Sequence, residues 1–158
     1  MANRNCIAAL VENMGPSQKN FHMIKKFNEI AQSSSTSVTC FYSNLTVPVS
    51  NAFFACMNMS GFSSYKGIAI STDLETTQAM MKTTANANKF YYVWDLEWLY
   101  QTISYETVQS ILQDESLQIL ARSESHAKLI ENFSNKKISG IVDNWNIQQL
   151  MEVTNGNR

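Results

Sequence analysis

Residues 6–42 decide the fold, and they fall into five blocks: CIAALV (6–11), ENMGPSQKN (12–20), FHMIKKFNEIAQ (21–32), SSST (33–36) and SVTCFY (37–42). The first block is continuously apolar, the pattern of a strand covered on both faces. The second is rich in turn formers. In the third, Phe21, Ile24, Phe27, Ile30 and Ala31 share one helical face and Lys25, Lys26 and Glu29 take the other, so the spacing predicts an amphipathic helix over 21–32. The last block predicts a second strand. Strand, helix and strand at this length make a right-handed crossover between parallel strands.

The alternation continues along the chain. Residues 51–60 (NAFFACMNMS) suit either a short strand or a buried helical turn. GIAIS (67–71) predicts a strand, and Thr72-Asp73-Leu74-Glu75 matches a capping box opening a helix to about Lys82. A strand is expected over 90–93, then a helix over 105–113 capped by Ser104 and carrying Val108, Ile111 and Leu112 inward. LQILA (117–121) and KISGIV (137–142) predict strands around a helix over 124–133 that presents Ala127, Ile130 and Phe133. A closing helix shows Ile147, Leu150 and Met151 on one face. With six or seven strands and neither repeat nor linker, the expected fold class is α/β: a three-layer sandwich around a mostly parallel, Rossmann-like sheet. Residues 1–153 should form that single domain, with 154–158 a frayed polar tail.

Charged residues make up only 16% of the chain, so its polarity rests on 16 Asn and 18 Ser. A net charge of −1 supplies no field to attract nucleic acid or an anionic membrane, and neither is expected as a partner. Cys6, Cys40 and Cys56 form no metal-binding spacing; Cys6 and Cys40 lie in strand-like runs and read as buried, inert thiols. Met57, Met59, Met80 and Met81 read as core filler. The opening MANRNC lacks an apolar leader segment and no apolar run reaches membrane-spanning length, so a cytoplasmic location is expected.

Open parallel sheets bind ligands at the carboxyl ends of their strands, near the point where strand order reverses. That rule selects the loops at 12–20, 42–51, 71–73, 94–98, 122–126 and 143–145. In the first, Asn13, Gly15 and Ser17 precede a helix N-terminus whose free N–H groups suit an anion or a sugar hydroxyl. Gly-Pro-Ser is also simply a good turn. Neither G-x-G-x-x-G nor G-K-[ST] occurs, so no cofactor is expected. The loop at 94–98 sets Asp95 and Glu97 between Trp94 and Trp98, either as a site or as an acidic helix start flanked by packing tryptophans. Ser123 reads as an N-cap, which leaves Arg122 and His126 either to meet a phosphate or an acceptor group or to stand as ordinary surface residues. Asp143 or Asn144 is expected to cap the last helix. His22 reads as a packing or surface residue.

Residues 117–150, LQILARSESHAKLIENFSNKKISGIVDNWNIQQL, resemble the end of the N-terminal domain of GT-B glycosyltransferases. There a strand is followed by S-E at a helix start and later by a strand ending in an N-G-x-D-type turn. Ser123-Glu124 matches the first feature, and Asp143-Asn144 the second without its glycine. Residues 13–20 are similar to that domain's glycine-bearing first loop, reduced here to Gly15-Pro16-Ser17. The family's H-D dipeptide falls on Trp94-Asp95, with tryptophan in place of histidine.

The resemblance implies sugar transfer from a nucleotide-sugar. Asp95 or Glu97 would deprotonate an acceptor hydroxyl and Trp94 would stack on a sugar ring, while Asn13, Gly15, Ser17, Arg122, Ser123, His126 and Asn144 would contact the ligand. Such enzymes use two domains, so a second copy of the chain or a partner subunit would have to complete the cleft. The alternative is a non-catalytic module that binds a carbohydrate, nucleotide or protein on the same fold. The Asn/Ser-rich texture and the phrases ENMGPS and WDLEWL resemble small glycosyltransferase-like proteins of tailed phages infecting marine cyanobacteria, which would place the chain in the host cytoplasm.

Overall fold

A computed structural model of the chain describes residues 6–156. Seven parallel strands form one sheet: β1 (Cys6–Val11), β2 (Ser37–Tyr42), β3 (Ala55–Asn58), β4 (Gly67–Ser71), β5 (Ala87–Tyr92), β6 (Leu117–Ala121) and β7 (Gly140–Ile141). Their spatial order is β3-β2-β1-β4-β5-β6-β7, so the direction of winding reverses between β1 and β4. The connecting helices are α1 (Gln18–Ser33), α2 (Leu74–Lys82), α3 (Tyr105–Leu112), α4 (Glu124–Ser134) and α5 (Ile147–Gly156). The fold is an α/β three-layer sandwich of the Rossmann-like kind.

The continuous apolar run of β1 is explained by burial on both faces. Ile7, Ala9 and Val11 join one core with Met23, Ile24 and Phe27 of α1 and Leu150 of α5. Ala8 and Leu10 join the other, with Leu74 and Met80 of α2, Val108, Ile111 and Leu112 of α3, and Ile130 of α4. Because successive strand side chains point to opposite faces, a strand with helices on both sides has no position left for a polar residue.

Several boundaries differ from those the pattern predicts. α1 begins at Gln18 rather than Phe21, because the Ser17 hydroxyl takes the Asn20 N–H at 3.0 Å and starts the helix early. The cap of α2 is Asp73, whose carboxylate accepts the Thr76 N–H at 2.8 Å; the Thr72 hydroxyl is occupied with the Leu10 carbonyl at 3.1 Å. Residues 51–60 resolve into the short, fully exposed strand β3 leading into a 3-10 turn at Met59–Ser64. Met57 is consequently exposed and only Met80 of the four methionines is buried; Cys40 is buried as expected, whereas Cys6 is only partly so.

The last strand shrinks to two residues, since the Ile138 N–H is taken by the Glu131 carboxylate at 2.9 Å before the sheet begins. Neither Asp143 nor Asn144 caps α5. The Asn146 side chain accepts the Gln149 N–H at 3.1 Å, because Asn144 and Trp145 turn the chain through positive φ of 43° and 60° first. Nor does the chain fray at Thr154: that side chain is buried, bonds the Leu150 carbonyl at 2.9 Å and carries α5 to Gly156. Positions 157–158 of the expected tail lie outside the described residues.

Candidate functional site

A cleft of about 400 Å³ opens at the carboxyl end of the sheet, beside the reversal point. Its walls come from the loop after β1 (Glu12, Asn13), the first turn of α1 (Ser17, Gln18, Lys19, Asn20), and the ends of β5 and β6 (Trp94, Asp95, Arg122).

The first loop is locked by two asparagines. The Asn13 side-chain oxygen accepts the Gly15 N–H at 2.9 Å, and the Asn20 amide nitrogen donates to the carbonyls of Asn13 and Gly15, both at 2.9 Å. A Cβ on Gly15 would lie 3.0 Å from that Asn13 oxygen, which is why the tight loop takes glycine. Outside the loop, the Val49 N–H bonds the Met14 carbonyl at 2.9 Å and buttresses it. The N-terminus of α1 is therefore held in place before any ligand arrives. Asn20 is 3% exposed, and its side-chain oxygen has no hydrogen-bond partner among the described residues.

Arg122 forms the opposite wall. Its guanidinium carbon sits 3.9 Å from the centroid of the Trp94 ring, and Nη1 donates to the Trp94 carbonyl at 3.3 Å. Nη2 reaches the Asn144 side-chain oxygen at 3.5 Å, and Nε is buried without a partner. The ion pairs among the described residues are Lys19–Asp73 at 3.7 Å and Lys26–Glu29 at 3.0 Å, so no carboxylate neutralises Arg122. A planar cation fixed on an indole without a carboxylate partner has N–H donors left over on Nη1 and Nη2 that could meet an anion.

Trp94 is only 5% exposed and lies beneath Arg122, with His22 at a ring separation of 6.0 Å. Its ring offers no open face for a sugar, and its contribution is to hold the arginine flat. The acidic pair separates: Asp95 is exposed on the cleft wall, whereas Glu97 is buried. A 3-10 turn at Glu97–Leu99 rotates the Glu97 carboxylate onto the N-terminus of α2, where it accepts the Leu74 N–H at 2.8 Å. Burial pushes its pKa up to about 7, against the opposing pull of that hydrogen bond and with a further rise from Asp73. Glu97 thus ties the end of β5 to α2 and is not placed to act on a ligand in the cleft.

Ser123 caps α4 by accepting the His126 N–H at 3.2 Å. Together with His126, Asp143 and the same Arg122 it lines an adjoining depression of about 320 Å³. The His126 Nδ1 accepts the Arg122 backbone N–H at 3.4 Å. Burial and then the neighbouring guanidinium lower its pKa, so the neutral imidazole is favoured. Of the residues singled out from the pattern, Asn13, Ser17, Trp94, Asp95 and Arg122 line one cleft. Gly15 and Asn144 stand behind it as supports, Ser123 and His126 lie next to it, and Glu97 is elsewhere. Lys19 and Asn20 belong to the 12–20 loop that the strand-end rule selects, without a pattern that singles them out; Ser17 as an N-cap is the available signal, since it puts both in the first turn of α1. Among the described residues no cluster of three His, Cys, Asp or Glu side chains could hold a metal ion.

Neither the protein-family models, nor the curated proteins, nor the solved structures compared with this chain yield a match.

Proposed function

We propose that this chain is a small-molecule binding domain whose cleft takes a phosphorylated, hydroxyl-bearing ligand of the sugar-phosphate or nucleotide type. The observation that carries the reading is Arg122, stacked on Trp94 without a carboxylate partner, across the cleft from the Ser17-capped start of α1. The guanidinium and the free N–H groups of a helix N-terminus together favour a phosphate, whereas the Lys19 ammonium is already paired with Asp73. The exposed carboxylates of Glu12 and Asp95 are acceptors, which suits the hydroxyls of a sugar or ribose rather than a second phosphate.

The test is a thermal-shift and calorimetry series with inorganic phosphate, a hexose phosphate, a nucleoside diphosphate and a nucleotide-sugar. At about a hundred times its dissociation constant a true ligand stabilises the fold by roughly 2.7 kcal/mol. The shift should vanish in Arg122→Ala. Absence of any shift across the series would sink the reading.

A second reading, glycosyl transfer, draws on one observation: Asp95 is exposed on the wall of the same cleft, where it could accept a proton from an acceptor hydroxyl. Transfer would then be abolished in Asp95→Asn while ligand binding persisted. Full turnover in that variant rules out this role.

A further inference from the structure

We propose that the β3 edge of the sheet is a homodimer interface, in which β3 pairs antiparallel with β3 of a second copy about a twofold axis. Among the described residues β3 bonds only to β2, so its other row of backbone N–H and C=O groups is left unpaired there, and all four of its residues are exposed. Proteins normally blunt such an edge with charge, proline or a covering element. Here every residue from position 30 to position 65 is uncharged, so neither the strand nor its approaches carry any such charge.

The surface around the edge exposes four large apolar side chains among uncharged polar ones such as Asn44, Thr46 and Asn51. Leu45 is 83% exposed, Val47 85%, Phe53 65% and Met57 48%, and all four lie in β3 or the connector that leads into it. Leu45 and Cys56 line the same shallow hollow, which joins the connector to the strand. Register places Cys56 opposite Cys40 and Met57 opposite Phe41, so each face of the edge carries an uncharged, weakly polar or apolar side chain at its centre. Phe53 is held outside the core because the Asn28 side chain takes its N–H at 2.7 Å and donates to the Asn51 carbonyl at 2.8 Å.

The occupant that fits is a second copy of this chain. At a twofold axis each residue near the centre meets its own kind, so any charge there would face its like. A surface without charges meets itself with no such repulsion, and an antiparallel strand pair matches its own donors and acceptors by symmetry. Four strand residues are too few for a stable contact, which buries roughly 800 Å² per partner; Leu45, Val47 and Phe53 supply the additional apolar area. β3 lies two strands from β1, and none of Leu45, Val47, Phe53 and Met57 lines the cleft between the β1–α1 loop and the ends of β5 and β6, so both copies would keep their clefts open.

Sedimentation velocity on the full chain over the micromolar range tests this, with Met57→Lys and Leu45→Asp as single variants at exposed positions. The wild type is expected to sediment as a dimer of the 17.9 kDa chain, and each variant as a folded monomer with an unchanged circular-dichroism spectrum. A short bismaleimide should join the wild-type copies covalently through Cys56, and Cys56→Ser should abolish that product. A wild type that stays monomeric throughout the range overturns the proposal. So does a dimer that survives both charged substitutions, because the contact would then lie elsewhere.

Discussion

The Glu97 carboxylate accepts the backbone N–H of Leu74 at 2.8 Å, and so closes the N-terminus of α2 from a loop 23 residues away in sequence. Asp73 caps the same helix end, so two carboxylates share one small buried volume with Lys19 as their nearest cation. That crowding, with burial, makes Glu97 the most pH-sensitive carboxylate of the fold.

Its folded pKa of about 7 lies above the unfolded value of 4.5, so the folded state binds the proton more tightly. The stability this contributes is fully present below about pH 4.5 and is lost as pH rises through 7, with a magnitude on the order of 3 kcal/mol. Glu97→Gln keeps an oxygen for the Leu74 N–H and removes the titration. The variant should therefore be more stable than wild type above pH 7 and lose the gap towards pH 4.5, as read by paired melting curves. The pairing matters because His126, with its lowered pKa, drives stability the opposite way as pH falls and does so in both proteins.

Gly140 in β7 packs directly against α5. A Cβ built there would lie 2.4 Å from Val153 Cγ2 and 2.6 Å from Cγ1. Gly140→Ala should cost about 1–3 kcal/mol by overpacking. Adding Val153→Ala should recover most of that loss, since it removes the clashing methyls. Urea unfolding of the two singles and the double tests the coupling; strictly additive losses would contradict it.

Arg122 is half-buried and its stacking on Trp94 contributes roughly 0.5–1 kcal/mol. Arg122→Ala should therefore shift the melting temperature little while removing phosphate-dependent stabilisation entirely. Arg122→Lys keeps the charge but loses the plane and the bidentate fork, so it should restore only a small part of that response. A lysine variant that binds as wild type would show that charge alone is read.

Trp145 sits at φ 60° with no exposed surface, its ring 5.1 Å from Tyr92 and 5.7 Å from Phe27. The Tyr92 hydroxyl bonds the Val142 carbonyl and accepts the Trp145 N–H at 3.5 Å. A left-handed conformation at a bulky residue is held by this packing. Trp145→Ala should cost about 3–5 kcal/mol by the cavity it leaves, and Trp145→Phe clearly less. Denaturant midpoints of the two variants give the comparison.

Much of the layout was legible because hydrophobic periodicity is local. β1, β2, β4 and β6 occupy the same residues as their sequence runs, and Ser104 and Ser123 announce α3 and α4 by side-chain chemistry that acts within three residues. Legibility failed where a distant group competed for a local one. Thr72 and Asp73 could each have capped α2, and the choice fell to Asp73 because the Leu10 carbonyl, 62 positions away, holds Thr72. KISGIV reads as a full strand, yet Glu131 takes the Ile138 N–H and only Gly140–Ile141 pairs with β6.

The sequence by itself determined the layered α/β class, since alternating apolar runs and amphipathic spacing leave few ways to bury both faces of a parallel sheet. It also indicated the end of the sheet where loops converge. Which loop side chains meet there follows from the packing of the folded chain. Strand order sets the ends of β1, β5 and β6 around one cleft, and long-range contacts then sort their side chains: Arg122 onto Trp94, Glu97 away to Leu74, Asp95 left facing outward. Periodicity cannot specify such partners, because the free energy of a buried charge depends on which groups the fold brings beside it.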